Sequence, residues 1–109
     1  MKNIIIVTGG AGFIGSNLIK YLVKKTHHKI ISIDNYSTGT KKNHLNHKSV
    51  KYIKSDNIKI SKILKNLRKR IKVIFHFGEF SRIYQSFLNP KACLNSNINN
   101  SFEVINFAK

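Results

Sequence analysis

Two hydrophobic rhythms alternate along the chain. Residues 3–7 (NIIIV) are short, apolar and β-branched, the pattern of a strand buried on both faces. From 13 to 25, Ile14, Leu18 and Leu22, with Ile19 and Val23 beside them, recur at helical spacing. Residues 29–33 (KIISI) form a second strand ending at Asp34. Residues 35–49 are polar and aperiodic, a loop with at most one helical turn, and residues 50–54 (VKYIK) alternate as a short third strand. Between 60 and 71, Ile60, Ile63, Leu64, Leu67 and Ile71 share one helical face. Ser61 is the expected N-cap, and Lys62, Lys65, Arg68 and Lys69 lie opposite. Residues 72–77 (KVIFHF) are a fourth strand. Asn89-Pro90 then opens a last helix, with the stripe Leu94, Ile98, Phe102, Ile105 and Ala108. Strands alternating with helices predict an α/β fold: an open parallel sheet with right-handed crossovers and its ligand site at the carboxyl ends of the strands.

The segment TGGAGFIG, residues 8–15, breaks this rhythm with Gly9, Gly10, Gly12 and Gly15. Glycine weakens helices and strands alike, so its concentration between a strand and a helix needs a reason. Two overlapping patterns fit: G-x-G-x-x-G at Gly10, Gly12 and Gly15, or T-G-x-x-G-x-x-G from Thr8 through Gly9, Gly12 and Gly15. In both, early glycines allow the turn, a middle glycine lets the backbone approach a pyrophosphate, and the last lets the helix sit close to the strand. The helix N-terminus supplies N–H groups and partial positive charge. Asp34, 25 residues after Gly9, ends the second strand, where a carboxylate can bind adenosine ribose hydroxyls and repel a 2′-phosphate. This favours NAD over NADP, with Lys41 and Lys42 near enough to soften the preference. The plainer alternatives are a ligand-free glycine turn and a turn-forming Asp before Asn35.

Charge changes the picture less than its size suggests. Lys+Arg number 20 against 4 Asp+Glu, a net charge of +16. The basic residues are spread along the chain and are not interleaved with stacking aromatics, so a solvated surface is the better reading than nucleic-acid binding. With 109 residues the chain is long enough for one small domain. The apolar run 4–7 is too short for a signal peptide, and no stretch has the length of a membrane span. The single Cys93 forms no internal disulfide, which sets a reduced, cytoplasmic location as the default expectation.

TGGAGFIGSNL followed by DNYSTG resembles the extended short-chain dehydrogenase/reductase family. Within it the chain is similar to NAD-dependent nucleotide-sugar epimerases and dehydratases, above all those of the UDP-glucose 4-epimerase type. The resemblance implies a Rossmann-type sheet binding NAD through Gly9, Gly12 and Gly15 and the backbone of Phe13 and Ile14. It further implies Asp34 and Asn35 at the adenosine ribose, and Asp56, Asn57 and Ile58 at adenine. IFHFGEFS, residues 74–81, resembles the family's F-H-L-A-A segment, with Gly78 and Glu79 in place of the two alanines, and brings Phe77, Gly78 and Glu79 to the cofactor. Asn97 matches the Asn of an N-x-x-G-T helix motif, whose Gly and Thr are here Asn100 and Ser101.

The family's chemistry rests on a Ser/Thr after a fifth strand and on a Tyr-x-x-x-Lys helix. There the Tyr acts as general acid/base and the Lys lowers its pKa from about 10. Neither lies in residues 1–109, which are expected to be the NAD-binding part alone, without the substrate domain, and inactive in isolation. A nucleotide sugar is then a partner of the full-length enzyme only. A homodimer or a complementing C-terminal chain are the expected partners, and strand four is expected to be an exposed apolar edge. Tyr21 and Lys25 do spell Y-x-x-x-K, but on the helix under the pyrophosphate, pointing away from the nicotinamide. His44 and His47 lack further metal ligands, and His76 reads as structural. The segment 78–87 reads equally as lining the cofactor, through Glu79, Ser81 and Arg82, or as solvated loop. Against the enzyme reading stand a stand-alone dinucleotide-binding module and a nucleic-acid binder.

Overall fold

The structure is a computed structural model, described over residues 3–37, 39–56, 59–78, 91 and 100–109. Four parallel strands, β1 (Ile4–Thr8), β2 (Lys29–Asp34), β3 (Val50–Lys54) and β4 (Ile71–His76), form one sheet in the order β3-β2-β1-β4. The parallel pairing places the ends of all four, Thr8, Asp34, Lys54 and His76, along one rim. Strands 1 to 3 step outward on one side of β1, while β4 lies on the other. The order therefore reverses between β1 and β4, and the glycine turn leaves β1 at that reversal.

Alternation along the buried strand β1 feeds two cores. Ile5 and Val7, with Ile30, pack under Ile19 and Leu22 of helix α1 (Phe13–Lys25). Ile4 and Ile6, with Ile31 and Ile33, pack on the other face. That face is closed by Ile60 of helix α2 (Ile60–Ile63), Leu64, and Val104 and Phe107 of helix α3 (Asn100–Ala108). A Rossmann-type layering results, with helices on both faces of a parallel sheet. A register shift between Ile4 and Ile5 opposite β4 lets Ile71 and Ile74, an odd spacing for one strand face, share the second core.

The observed elements depart from the sequence pattern at three places. The single helix expected over 60–71 is a four-residue α2 followed by a 3₁₀ segment, Lys65–Arg70, and Ile71 belongs to β4. Ser61 is not its cap: Lys59 holds that position without a side-chain bond. Spacings of three (Ile60 to Ile63, Leu64 to Leu67) fit a 3₁₀ turn as well as an α-helix, and pairing of Ile71 with Ile4 draws it into the sheet. In α1 the inward face is Gly15, Ser16, Ile19 and Leu22, whereas Ile14 is exposed. In α3 Val104 and Phe107 turn inward, while Phe102 and Ile105 of the expected stripe are exposed. The expected cap Asn89-Pro90 and stripe residues Leu94 and Ile98 lie outside the described residues.

Candidate functional site

The turn from β1 to α1 shows why its glycines are there, and they are not equivalent. Gly9 has φ +74°, and a Cβ on it would lie 2.7 Å from the Phe77 carbonyl, so both conformation and space exclude a side chain. A Cβ on Gly15 would collide with the Gly9 carbonyl oxygen and come within 2.9 Å of Gly10 Cα, which is the close helix–strand contact the pattern predicts. A Cβ on Gly10 would overlap the Ser32 hydroxyl. Gly12 differs. It is the N-cap of α1 with an ordinary extended φ of −83°, and its nearest neighbour to an added Cβ is Gly9 O at 3.4 Å. Among the described residues, no contact requires glycine there.

The start of α1 suits an anion. Its N-cap offers no side-chain oxygen to the first turn, and that turn carries no acidic residue. The leading N–H groups of a helix have no intrahelical acceptors, and the helix dipole adds positive charge. Phe13 and Ile14 are 81% and 61% exposed, so their backbone borders solvent above Gly12. These residues fit a dinucleotide's pyrophosphate: a cradle that a Cβ would fill, at an uncapped helix N-terminus.

Asp34, at the end of β2, is buried beside this turn. Its Oδ2 accepts from Ala11 N at 3.0 Å and its Oδ1 from Tyr36 N at 2.8 Å. The second bond is the turn-forming role, and each oxygen keeps a further lone pair for a ribose hydroxyl. Asn35 Nδ2 donates to Asp56 Oδ1 at 2.9 Å, joining the ends of β2 and β3. Asn35, Ser37, Lys54, Ser55, Asp56 and Lys59 line a shallow cleft there. Phe77 and Gly78 follow β4. Phe77 N donates to Thr8 O, and Gly78 N donates to the Thr8 hydroxyl at 3.1 Å. The structure thus brings Gly9, Gly12, Phe13, Ile14, Gly15, Asp34, Asn35, Asp56, Phe77 and Gly78 to one rim. Asn57, Ile58, Glu79 and Asn97, with Ser81, Arg82 and Cys93, lie outside the described residues.

Several contacts at this rim were not legible in the sequence. Ala11 O accepts from Thr40 N (3.1 Å) and Asn43 Nδ2 (2.8 Å), tying the polar loop to the glycine turn. Tyr36 has φ +62°, and its hydroxyl meets His44 Nε2 at 2.6 Å; His44 stacks on Tyr52 with centroids 3.7 Å apart. Burial, then the nearby Asp34 and Tyr52, hold the Tyr36 phenol above its usual pKa. His76 bridges Thr8 Oγ1 (2.5 Å) and Ser101 Oγ (2.8 Å), a structural placement at the β1–β4 junction. Tyr21 is 57% exposed on α1. Among the described residues no cluster of metal-binding side chains occurs, and no helix is long and apolar enough to cross a membrane.

Comparison with known proteins agrees with this fold. The family model described as "NAD dependent epimerase/dehydratase family" matches residues 5–109. An uncharacterized protein of Methanocaldococcus jannaschii is 35% identical over 99% of this chain and 36% of its own length. UDP-glucuronic acid decarboxylase 6 of Arabidopsis thaliana is 31% identical over 96% of this chain and 30% of its own. Among solved structures, the UDP-N-acetylglucosamine 4-epimerase of Methanobrevibacter ruminantium, solved with UDP-N-acetylmuramic acid, is 31% identical with a TM-score of 0.82. The alignment covers 98% of this chain and 34% of that one. The chain therefore spans about a third of the length of these relatives.

Proposed function

Because the chain belongs to the NAD dependent epimerase/dehydratase family, we propose that residues 1–109 are the NAD-binding part of a nucleotide-sugar epimerase/dehydratase of the UDP-glucose 4-epimerase type. The observation that carries this reading is Gly12: a glycine at the mouth of α1 that no contact within the described residues requires. Gly9 and Gly15 shape the turn, the backbone of Phe13 and Ile14 meets the pyrophosphate, and Asp34 holds the adenosine ribose. The family resemblance adds Asn35 beside Asp34 and assigns adenine to Asp56, Asn57 and Ile58. The same resemblance adds Phe77, Gly78, Glu79 and Asn97 to the cofactor contacts. Bound NAD supplies reversible hydride acceptance. What these residues do is bind and orient it with the nicotinamide at the β1–β4 reversal. Proton transfer belongs to the family's Tyr and Lys, so the 109 residues by themselves bind without turnover.

A thermal melt with NAD, with NADP as control, tests the proposal. Ligand at about 100 times its dissociation constant stabilises a folded binder by about 2.7 kcal/mol. For a domain this size that is a shift on the order of 10 °C. A clear NAD shift with a smaller NADP shift is the expected result. A cooperative melt that NAD leaves unmoved overturns the proposal. The alternative is a stand-alone dinucleotide-binding module without catalysis. Reading the coding DNA for a following Tyr-x-x-x-Lys segment separates the two.

A further inference from the structure

Ala11 is a fully buried residue whose backbone is held from both sides by the end of β2 and the polar segment after it. Its N–H goes to Asp34, and its C=O takes Thr40 N and Asn43 Nδ2. Gly39 packs so closely that a Cβ on it would lie 2.9 Å from both Ala11 C and Asp34 Oδ2. The Ala11 carbonyl belongs to the peptide plane that also carries Gly12 N–H, which donates to Gly9 O at 3.1 Å. Whatever holds that carbonyl therefore sets the tilt of the peptide entering Gly12 and, through it, the first turn of α1.

From this placement we propose that Asn43 is a positioning residue for the pyrophosphate turn, acting through the Ala11 carbonyl without touching the ligand. It rests on the NAD-binding reading above. Asn43 reaches the carbonyl from the 3₁₀ turn Lys41–Asn43, itself closed by Asn43 N to Thr40 O at 3.0 Å. The Thr40 N–H and the Asn43 amide thus fill the carbonyl's two acceptor positions. Removing the Asn43 donor leaves a half-satisfied, part-buried oxygen and frees the plane to tilt. The consequence falls on ligands that carry phosphates and spares those that carry only the nucleoside.

The test compares ADP with adenosine on the full 109-residue chain by calorimetry or NMR titration, for wild type, Asn43→Ala and Asn43→Asp. The Asp variant keeps the shape but sets an oxygen against the carbonyl. Wild type should prefer ADP, and both variants should reduce that preference about tenfold, the order expected for one lost hydrogen bond to a buried group. Partial unfolding lowers both apparent affinities by the same factor, so the ratio is insensitive to it. In the unliganded chain both variants should also speed hydrogen exchange at the Gly12 amide. A wild type with no preference for ADP overturns the NAD-binding reading. An unchanged ADP-to-adenosine ratio, or unchanged Gly12 exchange, overturns the role of Asn43.

Discussion

At the scale of single residues, the glycine turn separates folding from binding. Gly15→Ala pushes a methyl into the Gly9 carbonyl, so it should destabilise the fold by more than about 2 kcal/mol in a denaturant titration. Gly12→Ala meets only ordinary space and should change stability by less than about 1 kcal/mol while abolishing NAD binding. Loss of both properties together in Gly12→Ala would show that the turn needs this glycine for itself. Ser32 supports the same contact from below. Its hydroxyl is buried under Gly10 with no hydrogen-bond partner among the described residues. Ser32→Ala should raise stability by about 1 kcal/mol, since an unpaired buried hydroxyl is a cost. Tyr36 gives a pH test. Its folded pKa is raised above the ordinary value of 10.0 by burial first and Asp34 next. Its contribution is complete below pH 10 and is lost as pH rises through the folded pKa. Stability measured against Tyr36→Phe should therefore fall only above about pH 10. A difference between the two that rises with pH contradicts the assignment. The glycines and Asp34 were legible because their spacing alone encodes the turn. Asn43 and Thr40 were not, because their partner is a backbone carbonyl, 32 residues away for Asn43, and a backbone acceptor leaves no trace in residue type.

At the scale of elements, legibility followed burial. β1 is buried along its whole length, and β2 nearly so, and both were readable as unbroken β-branched runs. The loop turn at Lys41–Asn43 and strand β3 also lie where the pattern put them. Where an element is buried on one side only, the pattern admits more than one face. Helix α3 shows this: Phe102, Ile105 and Ala108 and the pair Val104 and Phe107 both run at helical spacing, and only the docked sheet decides between them. Phe107 is 3% exposed and lies under the Arg68 guanidinium, 5.1 Å from its ring centroid, so it joins α3 to the 3₁₀ segment before β4. Phe107→Ala should cost about 3–5 kcal/mol. Ile105→Ala, at an exposed site, should cost under about 0.5 kcal/mol. A larger loss for Ile105→Ala than for Phe107→Ala in a thermal melt would mean that the Phe102–Ile105 face of α3 packs inward instead.

At the scale of the whole molecule, charge and sheet edge act against each other. The +16 charge is not gathered on one face. Lys20, Lys24 and Lys25 sit on α1, which covers one side of the sheet, while Lys62, Lys65 and Lys69 lie on the segments covering the other. Such a distribution predicts general repulsion between copies. Meanwhile β4 pairs only with β1 among the described residues, and Val73 on it is 37% exposed. An apolar strand with an open edge favours strand-to-strand association. The repulsion is long-ranged and screened, with a Debye length of about 10 Å at 0.1 M salt and about 3 Å at 1 M, whereas edge pairing is a contact effect that salt does not weaken. Light scattering of the chain should therefore rise with added salt, and Val73→Lys should suppress that rise by placing a charge on the edge. Nucleic-acid binding predicts the reverse trend, an affinity falling steeply with salt, and NAD affinity should stay nearly level across the same series. If Val73→Lys leaves the salt-induced scattering unchanged, association runs through another surface, and the exposed face of α3 with Phe102 and Ile105 becomes the site to substitute next.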